Sequence, residues 1–112
     1  MFEKFNMSFK KTVRDEIDTE KMDFKALKEF AGQTIKVDGF FFSKGGKYGT
    51  QPVVIGNGYK INLPKRYTEN FEEIKNNDEM LKAVLEGHLT LTNIHEGDST
   101  NGRTTYFDFT EV

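Results

Sequence analysis

Apolar and polar residues alternate along much of this chain, a pattern typical of β-strands that bury one face. Runs with this period of two, bounded by glycine, proline or asparagine, predict six strands. The first lies in an N-terminal segment, and the other five form the main body of the domain. In chain order the predicted strands span residues 5–13, 33–42, 47–55, 59–63, 88–94 and 103–110.

The strand at residues 33–42 has the strongest pattern. Strict alternation puts Phe41 on the core side, with Phe40 and Phe42 on the opposite face. Gly39 lies inside the strand, where a glycine often marks a bulge or a sharp bend. We therefore expect a bent strand that ends in two aromatic rings outside the core.

The N-terminal extension, residues 1–32, combines the first strand with a short helix. Residues 24–31 carry apolar side chains at helical spacing, with Asp23 placed to cap the start of the helix. Gly32 is placed to end it in the left-handed conformation. This extension is expected to pack on the main body or on a neighbouring subunit.

Residues 68–86 form a second helical region, which we expect to break once and restart with Asn77 or Asp78 as the cap. The order of elements is then three strands, a helix and two strands, which is the order of the OB-fold, a five-stranded Greek-key barrel. We predict a mainly β protein with one OB-fold domain over residues 1–112 and its barrel at 33–112.

Three glycine-rich connections complete this prediction. Residues 43–49 form the first loop, the Gly-Asn-Gly run at 56–58 predicts a tight hairpin turn, and the polar residues 95–102 predict the last hairpin loop. OB-fold barrels bind ligands across strands two and three and between the first and last of these loops. We therefore look for a binding site there.

Composition narrows the possible functions. The chain has 11 phenylalanines and no cysteine, which excludes disulfides and thiolate metal sites. No apolar run approaches membrane-spanning length, so we expect no membrane contact and a cytoplasmic location. The two histidines lack the partners of a catalytic or metal site. We predict no enzyme activity, no small-molecule substrate, no metal and no cofactor.

Charge is distributed unevenly along the chain. Residues 33–66 contain six basic side chains and one acidic one, whereas residues 67–112 contain three basic and ten acidic ones. Lysines next to aromatic rings on a β surface favour single-stranded nucleic acid, because rings stack on bases and cations neutralise phosphates. The predicted binding residues are Lys36, Phe40, Phe42, Lys44, Lys47, Tyr48, Tyr59, Lys60, Lys65, Arg66, Arg103 and Tyr106.

The run GFFFSKGGKYG at residues 39–49, followed by YKINLP at 59–64, resembles the small single-stranded DNA-binding proteins of phages and prophages of low-GC Gram-positive bacteria. The resemblance implies an OB-fold that protects single-stranded DNA with little sequence preference in phage-type replication or recombination. It implies the host-cell cytoplasm as location, and we expect the protein to work as a homo-oligomer.

A second interpretation assigns the same aromatic face to protein. Aromatic residues are also enriched at protein interfaces, so the chain could be an interaction module, such as an inhibitor or adaptor. Phe40 and Phe42 then meet a partner and not bases. Tyr59 also has two interpretations, because its alternation with Ile61 would turn it inward. Preference for DNA over RNA is left open.

Overall fold

The computed structural model of the chain describes residues 12–13, 17–43, 50–99 and 102–112. It is mainly β, with two α-helices that follow the third strand in sequence. The strands are β1 (Ile35–Ser43), β2 (Gln51–Gly56), β3 (Tyr59–Asn62), β4 (Leu89–Ser99) and β5 (Gly102–Glu111). The helices are α1 (Thr68–Asn76) and α2 (Asp78–Leu85), and short 3₁₀ helices lie at Thr19–Lys21, Leu27–Phe30 and Lys65–Tyr67.

The five strands form one antiparallel sheet in the order β3-β2-β1-β4-β5. This leaves β3 and β5 as its two outer strands, so the sheet is open between them, and the arrangement is compatible with a small barrel-like fold. Within the part of the chain described, no helix is long and apolar enough to cross a membrane.

A bulge in β1 reverses the predicted orientation of its phenylalanines. The pairing of β1 with β2 slips by one residue between Val37 and Gly39, so the alternation restarts after the slip. Phe40 is therefore fully buried together with Val37, and Phe42 packs against the same core. Phe41 is only half-buried. The prediction that Phe41 lies in the core and Phe40 on the open face is wrong.

Gly39 also provides space for the chain's N-terminal segment. A β-carbon at this position would lie 2.8 Å from the Thr12 carbonyl oxygen and 3.0 Å from Val13 Cα. Val13 forms an antiparallel bridge with Gly39, and the Phe40 amide donates to the Thr12 carbonyl at 2.9 Å. The rest of the strand predicted at residues 5–13 lies outside the described residues.

The two helices supply part of the core that is shared with the sheet. Phe71 and Ile74 of α1 and Leu81 and Val84 of α2 are buried with the strand residues. Asn77 separates the helices and caps α2, because its side-chain oxygen accepts the Met80 amide at 3.1 Å. The predicted break and cap are confirmed.

The short helix predicted at residues 24–31 is a 3₁₀ turn at Leu27–Phe30. Asp23 does not cap it, since residues 23–25 lie extended along β3. The Lys60 amide donates to the Asp23 carbonyl, and the Lys25 amide donates to the Lys60 carbonyl, both at 2.9 Å. Gly32 does follow the turn with the predicted positive φ, +78°.

Of the hairpin connections predicted at residues 56–58 and 95–102, the first is confirmed and the second is wrong. Asn57 and Gly58 have φ values of 52° and 84°, as the predicted tight turn requires. The loop predicted at residues 95–102 is wrong, because pairing of β4 with β5 continues to Ser99 opposite Gly102. Threonine and tyrosine favour extended backbone here and extend the ladder into a long hairpin.

Candidate nucleic-acid interface

A groove separates the two outer strands of the sheet. It holds about 470 Å³, and we call it the edge groove. One wall is residues 24–29, the other is Thr104 and Thr105 of β5, and residues 62–64 lie between them. The groove exists because β3 and β5 are not paired with each other.

Phe24 is the most exposed aromatic ring at the edge groove, with 56% of its surface accessible. The backbone bridge to Lys60 holds this segment along β3 and directs the ring away from the core. Lys60 Nζ lies 4.4 Å from the centre of the Phe24 ring. An exposed pair of this kind contributes only about 0.5–1 kcal/mol to stability, so the ring face can exchange its cation for another partner.

Tyr59 and Lys25 form a second aromatic–cation pair beside the first. Lys25 Nζ lies 4.9 Å from the Tyr59 ring centre and 5.1 Å from that of Phe30. Tyr59 is half-buried and meets Phe30 edge-on, with 6.4 Å between ring centres. The ring is thus partly turned inward, as its alternation with Ile61 indicated, and leaves only part of its surface to the solvent.

Arg66 joins the 3₁₀ turn after β3 to β5. Its Nη1 donates to Thr104 Oγ1 at 2.9 Å, and its Nη2 donates to the Thr105 carbonyl. The guanidinium carbon lies 4.3 Å from the Tyr106 ring centre and 4.7 Å from that of Tyr67. Because Thr104 and Thr105 line the edge groove, this cation is fixed at its β5 wall.

Tyr106 is placed by its neighbours in the long hairpin. It stacks on His95, the opposite residue of β4, with ring centres 5.7 Å apart. Its hydroxyl donates to the Asp98 carbonyl at 3.3 Å, and its ring lies over Gly97, where a β-carbon would come within 2.9 Å. Tyr106 is therefore a held aromatic surface next to Arg66.

The predicted binding residues do not all come together. The prediction that Phe40 binds nucleic acid is wrong, because the bulge buries its ring completely. Phe42 is half-buried against the core, with Lys75 Nζ 5.8 Å from its ring centre. Lys44, Lys47 and Tyr48 lie outside the described residues.

Two of the predicted cations, Lys60 and Arg66, contact lining residues of the edge groove, and the other three described cations are placed differently. Lys36 is exposed on β1, with its side chain beside Gly87 at the end of α2. Lys65 is exposed, and Arg103 lies 3.7 Å from Asp98 across the hairpin with most of its side chain in solvent. Among the described residues of the predicted set, none lines the edge groove itself. Tyr59, Lys60 and Arg66 contact residues that line it, and Tyr106 contacts Arg66.

Phe24, Lys25 and Lys28 are groove residues outside the predicted set. Phe24 was expected to lie on the apolar stripe of a helix. The extended run at residues 23–25 is too short for its alternation to predict a strand, and its pairing with Lys60 depends on tertiary structure. The sequence signal that points to this site is the Phe-Lys pair at residues 24 and 25, because an aromatic ring next to a cation there lies in a segment with only a weak helical pattern.

The electrostatics of the edge groove favour an anion. Lys25 and Lys28 line it, and the one acidic lining residue, Glu29, uses its carboxylate to accept the Ala26 amide at 2.8 Å. Lys60 and Arg66 add positive charge beside the groove, because they contact its lining residues Phe24 and Thr104. Within the described ranges, no group of three or more histidine, aspartate or glutamate residues is placed to hold a metal ion.

Comparisons with known proteins give no identification for this chain. No protein-family model, curated protein or solved structure matches it.

Proposed function

We propose that this protein binds single-stranded DNA with little sequence preference, and that the edge groove is its binding site. The observation behind the proposal is the exposed Phe24 ring on a basic groove, with Lys60 within 4.4 Å of its centre. Unpaired bases need an accessible ring face and a nearby cation, and this pair supplies both.

Binding exchanges one set of contacts for another. A base stacks on the Phe24 ring, and the flexible Lys60 ammonium moves from the ring to the adjoining phosphate. Stacking on one such ring contributes about 1–3 kcal/mol and is independent of base identity, because every base has a π-face. Lys25 acts in the same way beside Tyr59, although the smaller accessible part of that ring makes it the weaker platform.

Arg66 continues the track on the opposite wall. Two of its five N–H groups are used by Thr104 and Thr105, and the remaining donors are left for phosphate oxygens. The contacts to Tyr106 and Tyr67 hold the guanidinium plane in place, so little side-chain entropy is lost when it binds.

Duplex DNA is a poor ligand for this arrangement. Its bases are stacked on each other, and only their edges are accessible in the grooves. Stacking on Phe24 or Tyr59 therefore requires bases that are already unpaired. The selectivity for single strands comes from ring faces, and the affinity depends largely on the cations.

The finer fold and the biological setting belong to the same proposal. The sheet order and the gap between β3 and β5 are consistent with an OB-fold barrel that is partly open. The sequence resemblance supports a role in phage-type replication or recombination, in the host cytoplasm and as a homo-oligomer.

The proposal is tested by titrating a labelled oligothymidine with wild type and Phe24→Ala. We expect the variant to bind about tenfold more weakly or worse, from the loss of one stacking platform. Val112→Ala is the matched control, because Val112 is also an exposed large apolar residue but lies away from the groove. Both variants are expected to unfold at the wild-type temperature.

Three results would overturn the proposal. They are no binding of oligothymidine at low salt, equal affinity for duplex of the same length, and equal binding by Phe24→Ala and wild type. Phe24→Ala that binds DNA normally but loses association with a protein would support the interaction-module interpretation.

A further inference from the structure

A second groove lies on the helical side of the molecule. It is bounded by α1, α2 and β5 and holds about 370 Å³; we call it the helical groove. It shares no lining residue with the edge groove, so a ligand in one does not occupy the other. The proposed DNA binding gives it no role.

The surface of the helical groove is apolar. Ile74, Val84 and Leu89 line it, together with Met80 and Phe109, which are 43% and 37% exposed. Covering these two side chains removes apolar surface from water, at about 25 cal/mol for each Å². Met80 also adapts to ligands of different shape, since its unbranched thioether side chain is flexible.

The rim of the helical groove is acidic. Glu73, Glu79 and Glu111 line it, and no lysine or arginine does. Among the ion pairs of the described residues, none involves these three carboxylates. The lining histidine, His88, is already engaged, with Nδ1 2.9 Å from the Val112 carbonyl and Nε2 3.7 Å from Glu86.

The apolar surface and the acidic rim together indicate which kind of ligand the helical groove binds. A nucleic acid is repelled by the rim, and a second copy docked through the same groove would bring two acidic rims together. We infer that the helical groove docks a short segment of a partner protein that carries apolar anchors flanked by lysine or arginine. The anchors cover Met80 and Phe109, and the cations pair with the rim carboxylates.

The experiment uses a fluorescent peptide of leucine and lysine as the probe, and a peptide with glutamate in place of each lysine as its control. The full chain is titrated into each peptide at low salt. We expect only the lysine peptide to bind. Failure of the lysine peptide to bind would overturn the inference, as would equal binding of the glutamate peptide.

Charge variants then locate the site. Glu73→Lys is expected to weaken binding of the lysine peptide by about tenfold, because an attractive rim charge becomes repulsive. Glu72→Lys is the matched control: it makes the same charge change on the neighbouring residue of α1, outside the groove, and should stay within about twofold of wild type. Equal weakening by the two variants would mean non-specific attraction and would overturn the inference.

Met80→Ser tests the apolar part of the site, since Met80 is too exposed to be essential for folding. This substitution should weaken binding of the lysine peptide and leave oligothymidine binding unchanged. That result separates this inference from the proposed function. Sedimentation of wild type and Glu73→Lys tests the remaining occupant. A loss of self-association confined to Glu73→Lys would mean that a basic surface of a second copy occupies the groove, and it would overturn the inference.

Discussion

At the scale of single residues, one inserted amino acid decides which phenylalanines of β1 are buried. The sequence marks Gly39 as the place for a bulge, but it does not say that the bulge resets the alternation for the residues that follow. Strict alternation therefore assigned the wrong face to Phe40 and Phe41. The glycine is needed because the backbone of Thr12 passes within contact distance.

This reversal predicts a large difference between neighbouring substitutions. Phe40→Ala should lower the free energy of unfolding by about 3–5 kcal/mol, because a fully buried ring leaves a cavity. Phe41→Ala should cost less than half as much, since its ring is half-buried. Urea unfolding followed by circular dichroism measures both. A larger loss for Phe41→Ala than for Phe40→Ala would mean that β1 alternates strictly and has no bulge.

Most elements follow from local sequence signals, and the exceptions have physical causes. The Gly-Asn-Gly turn and the cap at Asn77 depend on backbone and side-chain chemistry within a few residues, so the sequence predicts both. The extended segment at residues 23–25 depends on hydrogen bonds to Lys60, far along the chain. The long β4–β5 hairpin depends on cross-strand pairs such as His95 with Tyr106, which hold a glycine-containing strand in the ladder.

The Asn77 cap gives the prediction at the scale of elements. Asn77→Ala removes the acceptor for the Met80 amide and should reduce stability by about 1 kcal/mol. Asn76→Ala is the control, because Asn76 is an exposed residue at the end of α1 and alanine favours helix there. Thermal unfolding compares the two. A loss for Asn76→Ala equal to that for Asn77→Ala would contradict the assigned cap.

At the scale of the whole molecule, the uneven charge along the chain becomes a division between surfaces. The basic edge groove is formed largely by residues before 67, and the acidic helical groove lies entirely after that point. The sequence shows this polarity and the mainly β architecture. It does not show which cations meet which rings, because Lys60 reaches Phe24 and Arg66 reaches Tyr106 only after the strands have paired.

Salt dependence of DNA binding tests this division of charge. Four cations lie at the edge groove, namely Lys25, Lys28, Lys60 and Arg66. If each neutralises one phosphate of a single strand, the logarithm of the affinity should fall against the logarithm of salt with a slope of about −3 or steeper.

Lys25→Gln should make the slope shallower by about 0.7. Lys82→Gln, an exposed lysine of α2 paired with Glu86, should leave it unchanged. Fluorescence anisotropy with oligothymidine, between about 50 and 200 mM salt, measures all three proteins. A wild-type slope near zero would mean that apolar contacts dominate, and equal changes in the two variants would mean that the edge groove is not the path of the strand.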